Sequence, residues 1–251
     1  MGEALVGGLL AGGWASPTEV CVVEKVAARR EELAGRFPGV AVAEAAPAAD
    51  GVVVAVKPGD VGGACREVAE AGLQRALSVA AGVPLAALEA ALGPVPVVRA
   101  MPNTAALVGS GAAAIAAGTR AGEADLDWAE QILGAVGQVV RVPEAQLDAV
   151  TGLSGSGPAY VFLMVEALID GGVLAGLPHD VSRRLAVQTV LGAARLLTET
   201  GEAPQALRAA VTSPGGTTAA GLRALEAAGV RSALMEAVMA AAERSSELGR
   251  S

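Results

Sequence analysis

The chain reads as a doubly wound parallel α/β sheet followed by an all-helical domain, and two observations carry that reading. Over about the first 140 residues, short apolar runs alternate with stretches of helical spacing, the pattern of a parallel sheet with crossover helices. Beyond about Glu144 the strand pattern stops and only long helical periodicity follows. We place the domains at 1–144 and 145–251.

The chain opens directly on a helix, at Met1-Gly2-Glu3-Ala4-Leu5. The clearest strands are Val20-Cys21-Val22-Val23, Gly51 to Val56, Ala76 to Val79 and Val95-Val97-Val98, because each is a short apolar run rich in branched residues. Helices at Ala27 to Gly35, Val61 to Gly72 and Leu85 to Leu92 end at or near glycine, the usual stop. Gly111 to Ala117 and Gln138 to Val142 extend the sheet on either side of a helix from Glu123 to Val136. The second domain holds helices at Pro158 to Leu174, Asp180 to Thr198, Pro204 to Val211, Thr217 to Ala228 and Arg231 to Leu248. Their Leu, Val, Ala and Met content exceeds what a small bundle hides by itself, which points to a subunit partner and an obligate dimer.

An apolar share of 53% supplies an ample core. Net charge is −8, which disfavours a nucleic-acid partner. The uncharged run from Ala100 to Thr119 is broken by Pro102, Asn103 and glycines, so it does not read as a membrane span. Cys21 and Cys65 lack metal spacing and read as reduced thiols, and a cytoplasmic location is the default. Neither a metal-ligand cluster nor a Ser/His/Asp arrangement is present, which disfavours hydrolysis. His179, the lone histidine, sits at a helix start beside Asp180 and reads as a surface residue.

Two small-residue segments carry the chemistry. Thr212-Ser213-Pro214-Gly215-Gly216-Thr217-Thr218 stands directly before an apolar-periodic stretch, so it forms a glycine-rich helix N-terminus. Unpaired N–H groups and the positive dipole end there suit a small carboxylate. Upstream, Asp148-Ala149-Val150-Thr151-Gly152-Leu153-Ser154-Gly155-Ser156-Gly157-Pro158-Ala159-Tyr160 runs from a second small-residue loop into a helix with Pro in its first turn. Tyr160, Ser154 and Ser156 have no accompanying base.

With Ala55-Val56-Lys57-Pro58, Val79-Ala80-Ala81-Gly82 and Arg99-Ala100-Met101-Pro102-Asn103-Thr104, these segments make five motifs, and their order resembles that of the pyrroline-5-carboxylate reductase family. The resemblance spans nearly the whole chain. It implies a Rossmann-like first domain, a helical substrate-binding and dimerisation domain, and reduction of 1-pyrroline-5-carboxylate to L-proline, the last step of proline synthesis, with NADPH or NADH as cofactor. It implies a homodimer, with further assembly of dimers left open. The cofactor would meet Gly2, Ala55, Val56, Lys57, Pro58, Val79, Ala80, Ala81 and Asn103. The substrate carboxylate would meet the amides of Gly215, Gly216 and Thr217, and the Thr218 hydroxyl would bond the ring nitrogen as the catalytic contact.

Gly2 matches the last glycine of the dinucleotide fingerprint, while the first strand and two earlier glycines of that fingerprint are absent. Such a strand is central, so its loss would strip ladder partners from two neighbours. The expectation is that Met1 is an internal methionine of a longer native polypeptide, and that this chain is destabilised and binds cofactor poorly. Relatives also often carry Asp or Asn where this chain has Ala209 and Ala210.

Glu24, at a strand end, suits ribose hydroxyls and favours NAD, but Lys25, Arg29 and Arg30 follow and would neutralise a 2′-phosphate, so cofactor choice stays open. Glu144 matches a family position near the cofactor, yet beside Pro143 it reads as a surface acid. Other readings are an imine reductase, a β-hydroxyacid dehydrogenase, disfavoured because no lysine follows Lys57, and a truncated paralogue acting as a helical dimer scaffold.

Overall fold

A computed structural model describes residues 1–249, which divide into two compact units. The first comprises Met1–Ser156 and the chain from Met239 onward, and the second is Gly157–Val238. Residues 145–156, grouped with the helices on sequence, therefore pack with the sheet.

The first unit begins with α1 (Gly2–Ala11), β1 (Cys21–Val23), α2 (Ala27–Arg36), β2 (Ala41–Ala43) and β3 (Ala49–Val54). It continues through α3 (Val61–Ala71), β4 (Leu73–Ser78), α4 (Leu85–Leu92), β5 (Val97–Pro102), β6 (Gly111–Ala117), α5 (Glu123–Gly134), β7 (Gly137–Arg141) and the short α6 (Leu147–Val150). Strand β2 went unseen in the sequence because Ala-Val-Ala offers one branched side chain. A second difference lies in the sheet, which is mixed: β6 runs antiparallel to β5, while the other neighbours are parallel.

The strands form two separate ladders, β1-β2 and β3-β4-β5-β6-β7. Among the described residues β1 pairs only with β2, and β3 pairs only with β4. Helix α1 spans the break: Leu5 and Leu9 pack with α5 and the larger sheet, while Val6 and Leu10 join the β1-β2 cluster around Leu33, Phe37 and Val40.

Alternation along the central strands builds the double winding. Leu77 and Val98 face the layer of α1 and α5, with Ala129, Ile132 and Leu133. Their neighbours Ala76 and Val97 face the layer of α3 and α4, with Cys65, Leu85, Leu88 and Leu92. Burial pushes the Cys65 thiol up, which suits its place as a core side chain.

The second unit holds α7 (Gly157–Leu174), α8 (His179–Thr200), α9 (Pro204–Ala210), α10 (Thr217–Ala227) and the first part of α11 (Val230–Leu248). It is poor in buried side chains, and α7 has none. Phe162 is 64% exposed and Leu174 is 88% exposed, so the apolar content of these helices lies open within one chain. The continuous helical run 144–174 is long and apolar enough to cross a membrane by length and composition alone.

Candidate functional site

In the first unit the parallel strands β3, β4 and β5 end at one edge of the sheet, where ligands sit in open α/β folds. The structure brings the expected cofactor segments to that edge. Ala55-Val56-Lys57-Pro58 follows β3 and turns at once, with the Asp60 N–H donating to the Lys57 carbonyl at 2.9 Å. Val79-Ala80-Ala81-Gly82 follows β4, with Ala80 buried and its N–H donating to Ser78 Oγ at 3.4 Å. A Cβ on Gly2 would lie 3.4 Å from the Ala55 Cβ, so the start of α1 sits against the same edge. Met1 stands at the N-cap position of α1, with no side-chain cap.

These residues fit a dinucleotide at several points. They offer backbone amides, small side chains and a helix start, the donor set a pyrophosphate and a flat ring need.

Asn103 is 9% exposed, and its side chain is engaged within the protein. Its Oδ1 accepts from the Ala112 N–H at 3.1 Å and its Nδ2 donates to the Ser154 carbonyl at 3.0 Å. It thereby ties the end of β5 to the start of β6 and to a π-helical turn, Thr151–Gly155. That turn is widened by its own sequence. The Thr151 hydroxyl donates to the Leu147 carbonyl at 2.8 Å, the Ser154 hydroxyl donates to the Val150 carbonyl at 3.1 Å, and the Ser156 N–H reaches Thr151 five residues back.

Glu144 departs from the surface reading. Its Oε1 accepts from Arg99 Nη1 at 2.8 Å and from the Leu85 N–H at 2.7 Å. The carboxylate thus pins the first turn of α4, directly after the Val79–Gly82 loop, to a buried arginine of β5. Arg99 belonged to a recognised motif but carried no assigned role, because its partner lies 45 residues away. The Ser245 hydroxyl donates to Asp148 Oδ1 at 2.7 Å, fastening the last turns of α11 to the same region.

In the second unit, Ser213 to Gly216 form a tight turn closed by the Gly216 N–H on the Ser213 carbonyl at 3.0 Å. Gly215 sits at φ +70°, a left-handed conformation that glycine adopts without strain. A Cβ on Gly216 would fall 2.3 Å from Ser213 Oγ and 3.2 Å from the Ser213 carbonyl oxygen, so any side chain there requires the serine hydroxyl to move. Helix α10 then starts with Gly216 as its N-cap and no side-chain cap. The Gly216 amide is thereby committed to the turn. The Ala220 N–H returns to the Gly216 carbonyl, so within the first turn of α10 the open N–H groups are those of Thr217, Thr218 and Ala219, and no backbone bond engages the Gly215 N–H among the described residues. Thr217 and Thr218 are exposed.

Tyr160 Oη donates to the Ala237 carbonyl at 3.2 Å within this unit, a packing role. His179 is exposed at the first position of α8. Among the described residues no group of three or more His, Cys, Asp or Glu side chains is placed to hold a metal.

The family model for pyrroline-5-carboxylate reductase dimerisation matches residues 144–248. A curated pyrroline-5-carboxylate reductase of Synechocystis is 48% identical over 256 residues, covering 100% of this chain and 95% of the relative. The chain belongs to the pyrroline-5-carboxylate reductase family. Residues 1–83 match a second model, described as NADP oxidoreductase, coenzyme F420-dependent. The solved structure of a pyrroline-5-carboxylate reductase from Coxiella burnetii superposes with a TM-score of 0.93 at 37% identity, covering 98% of this chain and 94% of that one. One from Plasmodium falciparum, with NADP bound, gives 0.84 at 29% identity, covering 99% and 94%. The fold is therefore the Rossmann-like sheet followed by a helical dimerisation domain.

Proposed function

We infer that this chain reduces 1-pyrroline-5-carboxylate to L-proline, with reduced nicotinamide dinucleotide as hydride donor. The observation that carries the inference is the family relationship over the full chain.

When bound, the dinucleotide supplies the hydride, so the side chains need mainly to bind and orient. We propose that the first unit holds it through Gly2, Ala55-Val56-Lys57-Pro58 and Val79-Ala80-Ala81. Asn103 and Glu144 act behind these segments by fixing the loops. In the second unit the Thr217, Thr218 and Ala219 amides offer the substrate carboxylate three donors and the positive end of α10. Gly215 and Gly216 shape that cradle. The Thr218 hydroxyl hydrogen-bonds the ring nitrogen and holds the C=N bond in a reactive orientation.

A homodimer is the smallest assembly this reading requires, formed through the apolar faces of the helical unit. We read the 144–174 run as part of that face and not as a membrane span, since the dimerisation model covers the whole of it. The net charge of −8 speaks for a small-molecule partner over nucleic acid, and the two free thiols suit a reducing cytoplasm.

The test is consumption of reduced nicotinamide with 1-pyrroline-5-carboxylate and formation of proline. Thr218→Ala should lower kcat/KM by about 1.5–3 kcal/mol, roughly 10- to 150-fold, with cofactor affinity held. Unchanged kinetics would remove Thr218 from the mechanism, and no turnover by the parent chain would favour a scaffold role.

A further inference from the structure

We propose that the corner around Glu24 selects NADH over NADPH, an inference that rests on reading the first unit as the dinucleotide site. In a dinucleotide-binding βαβ unit, the strand after the fingerprint helix ends where the adenosine ribose falls, and an acid there bonds the 2′-hydroxyl while an arginine accommodates a 2′-phosphate. Here that strand is β1, and Glu24 continues its ladder, its N–H donating to the Ala43 carbonyl at 2.9 Å. The half-buried carboxylate accepts from the Val26 N–H through Oε1 at 2.8 Å, which caps the start of α2. Among the described residues, Oε2 carries no hydrogen bond and remains for a ribose hydroxyl.

The basic residues after Glu24 are those a 2′-phosphate would need, and each is already occupied. Lys25 Nζ donates to Glu67 at 2.8 Å and to the Glu44 carbonyl at 2.9 Å. Arg30 is docked on the turn itself, with Nη1 donating to the carbonyls of Glu24 and Lys25 at 2.9 and 2.8 Å and Nη2 pairing with Glu44 at 3.0 Å. Arg29 pairs with Glu3 and Glu32, and Glu3 is shared with Arg36.

A phosphate arriving here meets Glu24 unpaired. It gains a cation only by releasing Glu44, Glu67, Glu3 or Glu32 into the same neighbourhood, so it exchanges one anion's partner for another's. The start of α2 also favours an anion, and Glu24 fills that role from within the chain. A 2′-hydroxyl asks for none of this, since it donates to Glu24 and leaves the ion pairs intact.

The experiment is equilibrium titration of the full chain with NADH and with NADPH, followed by nicotinamide fluorescence and calorimetry. NADH should bind about tenfold or more tightly, the scale of one unscreened like-charge contact near a surface. Glu24→Gln keeps an acceptor for the Val26 N–H but removes the charge, and Glu44→Gln removes the anion paired with Arg30 Nη2. Each should raise NADPH affinity and narrow the ratio. Equal or tighter NADPH binding by the parent chain would overturn the preference alone. A ratio unmoved by Glu24→Gln would overturn the role of Glu24. Binding of neither dinucleotide would overturn the reading of the site itself.

Discussion

Replacing Asn103 with alanine removes two hydrogen bonds that hold three segments together, and the cost follows from what is left behind. The Ala112 N–H and the Ser154 carbonyl lose partners at 3.1 and 3.0 Å. An unsatisfied buried polar group costs about 1–3 kcal/mol. Both residues are half-buried, so water compensates in part and the lower end applies to each. The sum is about 2 kcal/mol. Urea denaturation read by tryptophan fluorescence measures it cleanly, because Trp14 and Trp128 are the two tryptophans and both belong to the first unit. Asn103→Asp should cost at least as much, since it keeps an acceptor for Ala112 but sets a largely buried carboxylate oxygen against the Ser154 carbonyl. A loss below about 0.5 kcal/mol for the alanine variant would refute the role assigned to these bonds.

Other consequences are equally direct. Gly215→Ala forces a left-handed conformation on a residue with a Cβ, costing about 1–2 kcal/mol, and should raise the KM for the imino acid without changing dinucleotide affinity; an unaltered KM would separate the turn from substrate binding. Hydrogen exchange should be faster in β1 and β2, joined by a ladder of three residue pairs, than in β4 and β5, and uniform protection across both ladders would contradict the division of the sheet. The Glu67 carboxyl is held below its ordinary value by the Lys25 ammonium and by the Ala46 N–H. Its stabilising contribution is therefore full above the ordinary carboxylate range and is lost as pH falls through the depressed folded value. Glu67→Gln should flatten the acid limb of the stability curve, and an unchanged limb would remove this contact from acid sensitivity.

Much of the element order was legible because apolar runs and glycine stops state it locally. Helix α4 has the bounds read from sequence, as does β6. The direction of β6 was not legible, since Gly-Ala-Ala-Ala-Ile-Ala-Ala reads alike either way and only pairing with β5 decides it. The substrate turn stood out through Pro214, Gly215 and Gly216, whereas the loss of the Gly216 amide to the Ser213 carbonyl depends on the folded turn. Asn103, Glu144 and Arg30 carry roles fixed by residues far along the chain or by backbone carbonyls, and neither leaves a periodic signal. The π-helical turn did leave one, in Thr151 and Ser154 each four residues past a helical carbonyl.

Titration of isotope-labelled protein with L-proline, followed by amide chemical shifts, tests the substrate cradle most directly. Thr217, Thr218 and Ala219 should show the largest saturable shifts, with Thr218→Ala weakening the response. Binding that leaves those three amides unmoved and shifts a different segment would contradict the account.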